Sequence, residues 1–278
     1  MAGNQKTILI TGCSSGIGYD AAHGLKKRGW RVFATCRKPE DCARLESEGL
    51  ESFMLDYENE ESIAAAVDQT LSRTGGTLNA VFNNGAYGIP GLLEDLPRDA
   101  MRAIFEANFI GQHDLTRRLI PTMRKQGQGR ILMNSSILGF VTLTWRGAYN
   151  ATKFAMEGWS DSLRLEMRGT GIHVILIQPG PITSDIRLKS QGPFEKWITP
   201  ETSARAGEYE TKLKPRLYAP RSKDPFELPA SAVTKVVHKA LIHPNPRPRY
   251  RITTPTKALA VVKRLVSTRM LDRILSRA

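Results

Sequence analysis

A tyrosine and a lysine four positions apart, Tyr149 and Lys153, carry the first chemical signal in this chain. On a helix such a pair lies on one face, a turn apart. An ammonium beside a phenol favours the phenolate and lowers its pKa from a reference of about 10. A phenol tuned in this way serves as a general acid or base near neutral pH. The spacing alone recurs by chance, but two further features accompany it. One is a glycine-rich stretch, Gly12-x3-Gly16-x-Gly18, and the other is a strand-like run that ends in Ser135-Ser136.

The three glycines have separate mechanical uses. One permits a tight turn, one lets backbone approach a pyrophosphate, and one lets a helix pack closely on a sheet. The helix that follows offers unpaired N–H groups and a positive dipole end to phosphate, with Ser14, Ser15 and Ile17 filling the loop. The surrounding order is an apolar strand over 7–10, the glycine loop, a helix over 17–27 and a second strand over 31–36. That is the order of a dinucleotide-binding unit. At the end of the second strand an acidic residue would bond the adenosine ribose 2′-OH and select NAD. Arg37-Lys38 stands there instead, and a cation suits a 2′-phosphate, so the pattern favours NADP over NAD.

Further strands are expected over 51–55, 78–82, 130–134, 172–177 and 249–252, separated by helices over 39–48, 63–71, 98–124, 148–168 and 230–242. Alternating strands and helices imply an α/β fold: a single Rossmann-like, doubly wound parallel sheet flanked by helices. Ligands bind such sheets beyond the carboxyl ends of the strands. The glycine loop, Arg37, Asp56, Asn84-Gly85, Ser136, Pro179-Gly180 and Ile182-Thr183 all fall there.

The expected domain spans 1–254. Within it, 184–228 is polar and Pro-containing, and reads either as a substrate lid with Phe194 and Trp197 as apolar contacts or as a packed surface loop. The extension over 255–278 reads as one amphipathic helix. Between 256 and 277 it carries six cations against Asp272 alone. Such a helix lies on an anionic membrane, or docks on its own domain or a partner subunit.

At 278 residues and 41% hydrophobic, the chain is long enough for one large domain. The formal charge is +13, yet there is no block of five Lys or Arg and no nucleic-acid motif, which argues against a nucleic-acid partner. Cys13, Cys36 and Cys42 make no disulfide framework and point to a reducing, cytoplasmic setting, with the thiols as small buried residues. Five scattered histidines suggest no metal site. The first six residues lack an apolar signal segment, and no run approaches the roughly 20 apolar residues of a membrane span.

Taken together, Thr11-Gly12-x3-Gly16-x-Gly18, Asn83-Asn84-Gly85, Asn108, Ser136, Tyr149-x3-Lys153 and Pro179-Gly180 resemble the short-chain dehydrogenase/reductase family, in its order and spacing, over 7–183. Within it the chain looks like NADP-linked bacterial oxidoreductases related to hydroxysteroid and retinol dehydrogenases. The resemblance implies that Tyr149 exchanges a proton with a carbonyl or alcohol oxygen and that Ser136 hydrogen-bonds the same oxygen. It implies that Lys153 tunes Tyr149 and holds the nicotinamide ribose, and that Asn108 holds a water in a proton relay. Gly12, Ser14, Ser15, Gly16, Ile17, Gly18, Arg37, Lys38, Asp56, Asn84, Gly85, Pro179, Gly180, Ile182 and Thr183 would contact cofactor. It also implies a dimer or tetramer assembled through the helices bearing Asn108 and Tyr149. One departure is Asn84-Gly85-Ala86, where the family usually reads Asn-Ala-Gly. The expected substrate is a small apolar carbonyl or alcohol, with Tyr87, Leu138, Phe140, Trp145 and Trp197 as pocket candidates. A nucleotide-sensing protein without turnover and a membrane-associated scaffold are the competing readings.

Overall fold

The computed structural model describes residues 5–220 and 225–276. The elements run β1 (Thr7–Ile10), α1 (Gly16–Lys26), β2 (Arg31–Cys36), α2 (Pro39–Ser47), β3 (Glu51–Met54), α3 (Glu60–Arg73), β4 (Ala80–Asn83), α4 (Arg98–Phe105), α5 (Gly111–Gln126), β5 (Gly129–Asn134), α6 (Gly147–Glu166) and β6 (Ile172–Gln178). After these come the short helices α7 (Ile186–Lys189), α8 (Gln191–Trp197), α9 (Ala206–Glu208) and α10 (Lys214–Tyr218). The chain closes with α11 (Ala230–Ile242), β7 (Arg249–Arg251), α12 (Thr254–Leu265) and α13 (Thr268–Leu275).

The strands form one parallel sheet in the order β3-β2-β1-β4-β5-β6-β7, the Rossmann-like arrangement expected. Strand order reverses between β1 and β4, which opens a crevice at their carboxyl ends. The period of two along β1 sorts its side chains. Ile8 and Ile10 enter a core with α1 and α11, while Leu9 enters the core on the other face with α3, α5 and α6. Cys13, Cys36 and Cys42 are free thiols buried on the first of these faces.

Three elements differ from expectation. The helix over 98–124 is interrupted by a π-helical turn, Glu106–Ile110, that contains Asn108; such turns locally loosen the hydrogen-bond ladder. The insertion over 184–228 is largely helical and has its own core, in which Phe194, Ile198, Tyr209, Leu213 and Leu217 pack on Ile89, Leu92 and Ile104. The Tyr209 hydroxyl accepts from Leu92 N (3.0 Å) and donates to Asp95 Oδ2 (2.6 Å), pinning the insertion to the loop after β4.

The C-terminal segment is two helices, because Val266 is extended and the Ser267 side chain caps a new start by accepting from Met270 N. The N-terminal residues 1–4, part of the insertion (221–224), Arg277 and Ala278 lie outside the described residues. Among those described, no helix is long and apolar enough to cross a membrane.

Candidate active site

The glycine loop leaves β1 through left-handed turns at Gly12 (φ +67°) and Gly16 (φ +58°), conformations open to glycine. A Cβ on Gly12 would stand 2.6 Å from Gly85 Cα, and one on Gly18 would stand 2.2 Å from the Gly12 carbonyl oxygen. These close approaches let the loop fold onto α1 and the end of β4. Asn84 ties three strand ends together. Its Nδ2 donates to the carbonyls of Thr11 (3.0 Å) and Gly12 (3.3 Å), and its Oδ1 accepts from Asn134 Nδ2 (2.8 Å). The departure at Gly85 is accommodated by the Tyr57 ring, which a Cβ there would meet at 3.2 Å.

A cleft of about 1170 Å³ lies over these strand ends, above the ~300–1,000 Å³ usual for a small-ligand site. The loop suits a dinucleotide pyrophosphate. α1 starts with no side-chain cap and no acidic residue in its first turn, so its N–H groups remain available to phosphate. Arg37, Lys38 and Asp56 line the cleft on the β2–β3 side, and Ser136, Tyr149 and Lys153 line it on the β5 side. Asp56 Oδ1 also accepts from Glu58 N (3.1 Å). Burial, then the Asp56 charge, pushes the Glu58 carboxyl up, opposed by Arg37 and Lys196.

Ser136 follows β5 and accepts from Leu138 N (3.1 Å), which fixes its hydroxyl oxygen. Tyr149 and Lys153 sit in the first two turns of α6. Lys153 is fully enclosed; its Nζ donates to the Asn134 carbonyl (2.7 Å) and lies 5.5 Å from the Tyr149 ring centroid. The expected lowering of the phenol pKa is not what the structure gives. Burial pushes Tyr149 up to about 12, against opposing effects from a Ser136 hydrogen bond and the Arg146 charge. Burial likewise brings Lys153 down to about 7, opposed by the Glu157 carboxylate one turn further along α6. Desolvation is therefore the largest influence on both groups of the pair. Burial thus favours the protonated phenol over the phenolate at Tyr149.

Gly12, Ser14, Ser15, Gly16, Ile17, Asn84, Gly85, Pro179, Gly180 and Ile182 line the cleft with those residues, as the sequence placed them. Three expected residues do not. Gly18 acts beneath the loop through its close packing. Thr183 is turned to Glu227, to which its hydroxyl donates. Asn108 is fully buried; its Oδ1 accepts from Tyr87 N (3.0 Å) and its Nδ2 donates to the Tyr87 carbonyl (2.8 Å). Its side chain thus positions Tyr87, a cleft residue.

Among the pocket candidates, Tyr87, Leu138 and Trp197 line the cleft. Phe140 does not, and Trp145 packs edge-on against Tyr209 (5.0 Å) beside a separate groove. Phe194 is buried within the lid core.

Two features escaped the sequence. Lys189, on α7, donates from Nζ to Ser15 Oγ (2.6 Å) and Ser14 Oγ (3.3 Å), placing a cation of the insertion over the glycine loop. Its only signal was a lysine in a lid. Behind Tyr149 and Lys153, Glu157 Oε1 accepts from Ser135 Oγ (2.5 Å) and Gln178 Nε2 (2.8 Å), and its Oε2 accepts from Arg249 Nε (3.0 Å). A glutamate four residues past Lys153 was the available clue.

The sequence model of the family described as short chain dehydrogenase matches residues 6–192. An uncharacterized oxidoreductase of Escherichia coli K12, YbbO, is 41% identical over 98% of this chain and 94% of its own. Retinol dehydrogenase 8 of Bos taurus is 31% identical over 95% of this chain and 86% of its own. Among solved structures, a short-chain dehydrogenase/reductase from Burkholderia phymatum in complex with NAD superposes with a TM-score of 0.77 at 23% identity, covering 94% of this chain and 92% of that one. A serine dehydrogenase complexed with NADP+ gives 0.73 at 20%, covering 90% and 95%.

Proposed function

Because the chain belongs to the short-chain dehydrogenase family, a family of oxidoreductases, we propose that it is an NADP(H)-dependent enzyme interconverting an apolar alcohol and its ketone or aldehyde. The observation that carries this reading is one cleft with Ser136, Tyr149 and Lys153 on its β5 side and Arg37 and Lys38 on its β2 side. A bound nicotinamide dinucleotide supplies or accepts the hydride.

The chain's own residues do the rest. In reduction Tyr149 donates its phenolic proton to the carbonyl oxygen, and burial keeps that proton in place at neutral pH. Ser136 Oγ accepts from Leu138 N, which fixes the hydroxyl beside Tyr149, where its O–H can donate to the substrate oxygen and stabilise charge developing there. Lys153, held by the Asn134 carbonyl, lies beside Tyr149 where it can answer the phenolate left after transfer. Oxidation uses the same groups in reverse.

An apolar substrate is supported by Leu138, Leu143, Ile89 and Trp197 along the cleft, and by the likeness to a protein named retinol dehydrogenase 8. A steroid-, retinoid- or fatty-aldehyde-like molecule fits that lining. NADP over NAD is supported by Arg37 and Lys38 at the end of β2. The test is cofactor oxidation with NADPH and NADH over a panel of apolar ketones and aldehydes. Arg37→Asp should lower the NADPH-over-NADH preference by about tenfold or more. An unchanged ratio would show that Arg37 does not read a 2′-phosphate.

A further inference from the structure

The C-terminal helices turn apolar side chains outward. α12 docks through Thr256 and Ala260, both buried, and through Lys263, whose Nζ donates to the Phe140 carbonyl and lies 5.2 Å from the Phe154 ring centroid. At about 100° per residue, Ala258, Val261 and Leu265 fall on the opposite side of that helix. Val261 is 57% and Leu265 78% exposed, and Lys257 and Arg264 run along one edge of this stripe. In α13 no residue is buried. Met270, Leu271, Ile274 and Leu275 share one side, while Arg269, Asp272 and Arg273 share the other. Met270 is 53% and Ile274 42% exposed.

A water-facing helix ordinarily presents polar residues where these two present apolar ones. The charge around them selects the occupant. Lys257, Arg264, Arg269 and Arg273 stand against Asp272 alone among described residues 254–276, Lys263 being turned to the Phe140 carbonyl on the docked side. A second copy of the chain would bring the same cations to the same face, with one carboxylate per copy to answer them. An anionic lipid surface answers the cations and accepts the apolar stripe together.

We propose that α12 and α13 seat this protein on the surface of an anionic lipid bilayer, with Val261, Leu265, Met270 and Ile274 entering the headgroup boundary. Lys263 sits beside a groove of about 510 Å³ that includes Leu93 and Phe154 and shares Leu143 with the main cleft. The seated segment is thus next to an apolar groove that adjoins the cleft.

The proposal stands apart from the reductase reading, and its test reads no turnover. The purified full-length chain is sedimented with vesicles of phosphatidylcholine alone and with vesicles that also contain phosphatidylserine. Binding to the mixed vesicles should exceed binding to the neutral ones by about tenfold or more and fall as salt is raised. Substituting Val261, Leu265, Met270 and Ile274 together by serine should reduce it by about tenfold or more. Because these side chains are exposed, the melting temperature should hold and report that the variant is folded. Equal binding to both vesicle types, no binding to either, or binding unchanged by the serine variant would overturn the proposal. So would a dimer of the wild type in solution that the serine variant dissolves, which would assign the stripe to a second copy.

Discussion

The floor of the cleft is shaped by backbone, and its cover is shaped by side chains. On the floor, approaches of 2.6 Å and 2.2 Å at Gly12 and Gly18 leave no room for even one methyl group. The partners of Asn84 there are two carbonyls and another strand-end amide. The cover from α7 to α10 has no such constraint. It is a set of short helices gathered around Tyr209 and Phe194 and fastened by Tyr209 and Ser203 to Asp95. Lys189, reaching Ser14 and Ser15, ties the cover to the floor directly. The contrast teaches that the floor fixes a constant ligand, the nucleotide, through groups a substitution cannot easily adjust. The cover is built from side chains that can be exchanged singly, as suits the variable ligand of the proposed reaction.

Gly18→Ala attacks the floor where it is tightest and should have the largest effect, costing about 3 kcal/mol of stability. NADPH should then no longer saturate the protein in a fluorescence titration; normal binding and melting would mean the loop is more pliant than its packing implies. In the cover the same logic divides two aromatics. Phe194→Ala empties a buried site and should lower stability by about 3 kcal/mol, read as a fall in melting temperature. Trp197→Ala, at the cleft wall, should leave melting nearly unchanged and raise KM for an apolar substrate severalfold. Reversed outcomes would place Phe194 in the pocket.

A subtler effect comes from behind the floor. Glu157 raises the Lys153 pKa against the burial that brings it to about 7. Where turnover needs the ammonium, the reductive rate falls as pH rises through that value. Removing the carboxylate charge lowers the lysine pKa further, so Glu157→Gln should move this limb of the pH–rate profile toward acid. A limb that stays in place would exclude Glu157 as a positioning residue for Lys153.

What could be read from sequence follows the same division. The glycine loop, the strand ends and the trio Ser136, Tyr149 and Lys153 were legible because each is a local pattern. A β-branched run makes the strand, a glycine marks the turn, and an i,i+4 spacing gives the shared helical face. The sense of the Tyr149 shift was not legible, since spacing reports the neighbouring charge and says nothing of burial, which dominates. Nor was the hydrogen bond from Thr183 to Glu227, a contact 44 residues away in sequence. The two-helix tail was missed because apolar spacings of three and four continue across Val266 and Ser267, while the break comes from a serine cap. Phe140, Trp145 and Phe194 were aromatic near the site in sequence, but the lid core and its groove claim the latter two.

The central claim is that Tyr149 delivers the proton in a cofactor-dependent carbonyl reduction. The direct measurement is single-turnover NADPH oxidation with an apolar ketone that the wild type reduces, run beside Tyr149→Phe with NADPH binding checked in both. The account predicts unchanged binding and a rate lower by about a hundredfold or more in the variant. A variant that binds NADPH and reduces the ketone at the wild-type rate would contradict it.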